Sequence, residues 1–269
     1  MDLKSAIKQL VKGDYSIDFM KKILLSMLLV CPLLLNAQSA ALIIPKATLA
    51  SMKLNVKQSK AQWEKYQMLA GSGKVEERFS AKSPADMTTA FNKFTDSLKI
   101  KTSPFLVHKN SIAGIYSEMK DSSANSPLFL YSGNSFPISF VKYRNQLNAV
   151  IFNGLVSLKT STTLNMPERQ RASQTVTSML APIIKLMVGK FNQTINYYGV
   201  GVCYGSKDFY DDNSTPVKAE YVLLIVAADL AKKYKEGQIT EDDFFNKSDI
   251  YFSGRDEESE LNKMYIQLQ

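Results

Sequence analysis

The spacing of apolar positions along this chain shifts between a helical period and strict alternation. Between residues 46 and 70, Leu49, Met52, Val56, Trp63 and Ala70 recur on one side, with lysines and glutamines elsewhere. That spacing predicts an amphipathic helix, interrupted at Gly71-Ser72-Gly73. A second helix is predicted from Ser83-Pro84-Ala85-Asp86: serine caps, proline suits the first turn, and the aspartate faces the positive helix end. Met87, Ala90, Phe91, Phe94 and Leu98 follow at helical spacing, and Ser103-Pro104 marks the exit.

Short apolar runs come next. Phe105-Leu106-Val107 and Leu128-Phe129-Leu130-Tyr131 read as strands, with a short helix through Ile112, Ile115, Tyr116 and Met119 between them. Residues 121–127 read as a loop. Phe140, Tyr143, Leu147, Ile151, Leu155 and Leu158 align as one side of a helix opened at Ser135-Phe136-Pro137, although β-branched and aromatic residues leave strand open for part of it. Asn165, Pro167 and Glu168 open a long core helix carrying Val176, Leu180, Ile184 and Met187, with a kink expected at Pro182.

Beyond Ile195 the period becomes two. Tyr198, Val200, Val202 and Tyr204 alternate with Tyr197, Gly199, Gly201, Cys203 and Gly205, which predicts a strand with one bulky and one nearly bare face. Residues 219–228 read as a buried strand joined to it by a hairpin loop. Asp229 and Thr240 each cap a short helix, and Ile250-Tyr251-Phe252 with residues 264–268 read as a closing hairpin. The fold class expected is therefore α+β: a helix-rich N-terminal part packed with a small antiparallel sheet formed mainly by the C-terminal third.

One apolar run belongs to no globular element. Met20-Lys21-Lys22, the apolar stretch Ile23–Leu35 and then Asn36-Ala37-Gln38 have the form of a cleaved secretory signal peptide. The stretch is shorter than the roughly 20 residues a membrane span needs. The expected organisation is an over-called extension at 1–19, the signal at 20–37 and a mature domain at 38–269, with a subdivision near Thr194 left open. The expected location is periplasmic or secreted, with membrane contact only through the signal.

Export changes how composition reads. Of 269 residues, removal of 1–37 takes Lys+Arg from 33 to 28 and Asp+Glu from 25 to 22, leaving a formal net charge of +6. The positive charge is spread along the chain without a basic run, which speaks against nucleic acid as a partner. Cys31 leaves with the signal, so Cys203 cannot pair within the mature chain and reads as a buried, inert thiol.

Candidate chemistry is sparse. His108 is the sole histidine, which rules out multi-histidine metal sites, and it reads as a surface or strand-end residue. Gly71-Ser72-Gly73-Lys74 lacks the first glycine and the Ser/Thr of a phosphate loop, and Gly199-Val200-Gly201 opens no helix. No catalytic, metal or cofactor site is assigned. The sharpest local feature is an acidic loop of Asp208, Asp211 and Asp212 beside Tyr197, Tyr204 and Tyr210, proposed as a ligand-binding neighbourhood. The function expected is an exported, non-enzymatic protein that binds an envelope protein, a glycan or an anionic surface. The alternative is an envelope hydrolase using loop carboxylates such as Asp208 and Asp211.

Overall fold

The computed structural model describes residues 45–73, 81–119, 128–130, 136–162, 166–207 and 217–266. Its centre is the pair of strands that glycine alternation and the following apolar run predict. β5 (Tyr197–Lys207) and β6 (Lys218–Ala227) pair antiparallel from Tyr197↔Ala227 to Ser206↔Lys218. β1 (Ala81–Lys82), β2 (Leu128–Leu130), β3 (Ile138–Tyr143), β4 (Leu147–Thr162), β7 (Asp249–Ser253) and β8 (Asn262–Met264) complete one sheet. Its order is β1-β2-β4-β5-β6-β7-β8, with β3 also paired to β4. The fold is α+β. The sheet is larger than expected and mixed, because β4 and β5 run parallel.

A parallel pair needs a long crossover, and the core helices provide it. α5 (Glu168–Thr175), a π turn (Val176–Leu180) and α6 (Ala181–Met187) follow one another without a break. The π turn stands immediately before Pro182, whose ring lacks the N–H of a regular helical bond. Where the sequence predicts a kink, the chain thus widens one turn.

The predicted helix over 135–158 is instead the β3–β4 hairpin. Its turn, Arg144–Gln146, holds Asn145 at φ 53° and Gln146 at φ 62°. Both faces of β4 are covered, so Ala149–Phe152 is a continuous buried run whose alternation is invisible in sequence. Phe105-Leu106-Val107 also departs from expectation. Pro104 starts a short helix, α3 (Pro104–Val107), and His108 closes it. His108 is buried against Phe140, with ring centroids 5.5 Å apart, and Phe191 meets it edge-on at 5.4 Å. Burial lowers its pKa, so the imidazole is a core group rather than a surface one.

α1 (Leu49–Gly71) covers the glycine face of β5. Met52, Val56 and Trp63 pack there with Ile151, Cys203, Tyr221, Leu223 and Ile225. A Cβ on Gly201 would lie 1.9 Å from the Tyr221 hydroxyl oxygen, and one on Gly199 would lie 2.9 Å from Ile151 Cγ1. Side chains from neighbouring strands therefore fill the bare face, beneath the helix. Cys203 is wholly buried in this layer and its thiol pKa is pushed up by burial, as an inert cysteine requires.

α2 (Pro84–Ser97) begins as the sequence predicts, with the Ser83 hydroxyl accepting from the Asp86 N–H at 3.2 Å. It packs beside α4 (Lys109–Met119). α7 (Ala228–Lys235) and α8 (Glu241–Lys247) follow β6, the latter capped by Thr240, which accepts from the Asp243 N–H at 3.1 Å.

Candidate functional site

Asp208, Tyr210, Asp211 and Asp212 lie outside the described residues. The other two residues of that neighbourhood are on β5, and the strand sets them apart. Seven residues separate Tyr197 from Tyr204, about 23 Å at roughly 3.3 Å per residue, and an odd spacing places them on opposite faces.

Tyr204 is buried beside its cross-strand partner Glu220. The Glu220 carboxylate is fully buried and is held by Arg171 of α5. Arg171 Nε donates to Oε2 at 3.1 Å, Nη2 donates to Oε1, and Nη1 donates to the Met166 carbonyl at 2.6 Å. The Tyr204 hydroxyl lies near this carboxylate but outside hydrogen-bond geometry, and burial pushes its pKa well up. Glu168, one turn before Arg171, has its carboxyl raised by burial, then by Glu220 and Glu257. With its carboxylate enclosed and ion-paired, Glu220 offers no exposed acid–base pair with Glu168. The cluster ties the crossover helix to β6.

Lys60 of α1 makes a similar tie on the other face. Its ammonium donates to the Ser253 hydroxyl at 3.3 Å and to the carbonyls of Gly254 at 2.6 Å and Glu257 at 2.5 Å. Burial lowers its pKa, and Cys203, Glu64, Glu257 and Glu220 oppose that shift.

Tyr197 belongs to a cluster at the opposite end of β5. Its ring meets Tyr143 edge-on at 5.3 Å. The Tyr143 hydroxyl contacts that of Tyr251 at 3.0 Å and donates to Asp249 Oδ2 at 3.1 Å. Asp249 Oδ1 also accepts from Arg144 Nη2 at 2.7 Å and pairs with Lys263 Nζ at 3.0 Å. This buried carboxylate already has three donors. The arrangement closes one end of the sheet.

An open concavity lined by described residues lies elsewhere. A cleft of about 400 Å³ sits where the outer edge of β4 changes partner. β3 pairs as far as Phe152 and β2 takes over at Leu155, so Asn153 and Gly154 stand between two strands. Gly154 has φ +73°, and the register with β5 also slips between Phe152 and Leu155, as in a β-bulge. Asn153 donates from Nδ2 to the Ser139 hydroxyl at 2.8 Å and from its backbone to the Pro137 carbonyl at 2.8 Å. These residues form the floor.

One wall is α1. Asn55, Gln58, Ser59 and Gln62 recur at i, i+3, i+4 and i+7, a polar stripe beside the apolar one. The facing wall is aromatic. Phe94 stacks on Phe136 at 5.3 Å and meets Phe105 edge-on at 5.1 Å. Among the described residues, no ionisable side chain lines the cleft. Such a surface can hydrogen-bond to an uncharged ligand and cover its apolar face; among the described residues it offers no acid, base or nucleophilic thiol.

The sequence carries a trace of this site in the neutral polar stripe of α1. It hides the other wall, because Phe105 and Phe136 belong to segments read there as a strand and a helix. Among the described residues no cluster of His, Cys, Asp or Glu is placed to hold a metal ion. No family model, curated protein or solved structure matches the chain.

Proposed function

We propose that this chain is an exported, non-enzymatic binding protein whose recognition site is the cleft between α1 and the Phe94–Phe105–Phe136 wall. The observation that carries the reading is the lining itself: amides and hydroxyls on one side, the partly buried rings of Phe94 and Phe105 over a buried Phe136 on the other, and no ionised group among the described residues. Binding clefts of this kind combine apolar walls with a few placed polar groups. Export rests on the sequence from Met20 to Gln38, whose lysine pair, short apolar run and small-residue exit suit a cleaved signal. An envelope component is then the ligand within reach.

The test is sedimentation of the mature chain with isolated cell envelopes, against Gln58→Trp. Gln58 is solvent-exposed, so the larger side chain fills the cleft without entering the core. The native chain is expected to sediment and the variant to stay in solution with an unchanged melting temperature. Equal sedimentation of both would remove the cleft from the reading. N-terminal sequencing of the exported chain should begin near Gln38; recovery of residues 1–19 in it would contradict the assigned signal.

A further inference from the structure

We infer that the cleft takes a neutral oligosaccharide, laid along α1 with one sugar face against the phenylalanine wall. The inference rests on the cleft being the recognition site and adds the chemical class of its ligand.

Three features narrow the class. The first is charge. A phosphate, a carboxylate or a cationic peptide would leave its ion without a counter-charge in a cleft whose described lining holds no Lys, Arg, His, Asp or Glu. The second is the stripe on α1. Asn55, Gln58 and Gln62 carry amides that both donate and accept, and Ser59 adds a hydroxyl. From Asn55 to Gln62 they span about 10.5 Å along the helix at roughly 1.5 Å per residue. A row of paired donor–acceptor groups complements hydroxyls, which are themselves donors and acceptors. It complements a lipid tail poorly. The third is the facing wall, where Phe94 and Phe105 are only partly buried. The parts of these rings left uncovered by Phe136 and Phe140 offer apolar surface to the C–H side of a pyranose, while its rim hydroxyls reach the amides.

An extended peptide is the natural rival, since strand addition is a common mode of peptide capture. Here the uncovered edge of β4 is only Asn153 and Gly154. The Asn153 N–H already donates to Pro137, and Gly154 is bulged away from strand geometry. That edge is too short and too irregular to template a strand.

The experiment is titration calorimetry of the mature chain with neutral oligomers of glucose, mannose and N-acetylglucosamine, and with uncharged tetrapeptides. Gln58→Ala with Gln62→Ala is the variant, because both side chains reach solvent and their loss leaves the core intact. At least one oligosaccharide is expected to bind, and the double variant to weaken it about tenfold or more, as losing two hydrogen bonds implies. Absence of binding across the sugar panel overturns the inference. If envelope sedimentation stays sensitive to Gln58→Trp in that case, only the sugar class fails and the cleft stands. Tetrapeptide binding that Gln58→Trp blocks, without sugar binding, likewise replaces the class. Sugar binding that survives Gln58→Trp overturns both the inference and the cleft.

Discussion

The hydroxyls of Tyr143 on β3 and Tyr251 on β7 touch at 3.0 Å, although three strands lie between them in the sheet. In a flat sheet strands four places apart stand about 19 Å from one another. The contact therefore measures how far the sheet curls around the layer that α1 covers. Removing either hydroxyl by Tyr143→Phe or Tyr251→Phe should cost about 1 kcal/mol. The double variant should cost less than the two singles together, because they share one interaction. Urea denaturation of all four chains measures this, and strict additivity would mean the tyrosines do not hold the curl.

Arg171 and Glu220 should behave as a unit. Arg171→Met leaves a buried carboxylate without its cation, at a cost of roughly 3–5 kcal/mol. Arg171→Met combined with Glu220→Leu removes both charges and should recover most of that loss. The comparison needs only equilibrium unfolding; a double variant as unstable as the single would show that packing, not charge, dominates there.

Gly201 should not tolerate even a methyl group. Gly201→Ala drives Cβ onto the Tyr221 hydroxyl, and overpacking of this kind costs about 1–3 kcal/mol. Tyr221→Leu in the same chain removes the obstructing ring end and should restore part of the loss. Melting temperatures of the two variants check the sign, and no rescue would place the strain elsewhere.

His108 sets a pH dependence of defined sign. Its folded pKa is lowered from 6.5 by burial, so the unfolded chain binds the proton first. Its contribution is complete above about pH 6.5 and is lost as pH falls toward the depressed folded value. Glu168 acts in the opposite sense, because its raised carboxyl takes up a proton more readily in the folded state. In a Glu168→Gln background, stability measured from pH 7 down to pH 5 should fall, and adding His108→Gln should flatten the curve. An unchanged slope would assign the effect to other groups.

The elements that sequence makes legible carry a periodic signal: an apolar stripe on one side, or a face bare of side chains. α2 announces itself through Ser83-Pro84 and the spacing of Met87, Phe91 and Phe94. β5 does so through Gly199 and Gly201, where only glycine leaves room for Ile151 and Tyr221. β4 is covered on both sides, so Val150, Ile151 and Phe152 carry no alternation to read, and their neighbours fall at a helix-like spacing by coincidence. The candidate site was harder still. Its floor exists because β2 and β3 share one edge of β4, a long-range pairing that no local pattern encodes. Asn55 and Gln62 look like ordinary solvated positions until that floor is beneath them.

The parallel pairing of β4 with β5 also sets a timetable. β4 ends at Thr162, yet its second edge has no partner until the chain has passed through α5, the π turn and α6 and returned as far as Lys207. At about 5–20 residues per second, synthesis leaves that edge open for several seconds. Non-local pairing of this kind is slow to form and prone to association with other chains in the interval. A holding chaperone that covers extended apolar segments would therefore act chiefly on β4, before the crossover helices bring β5 alongside.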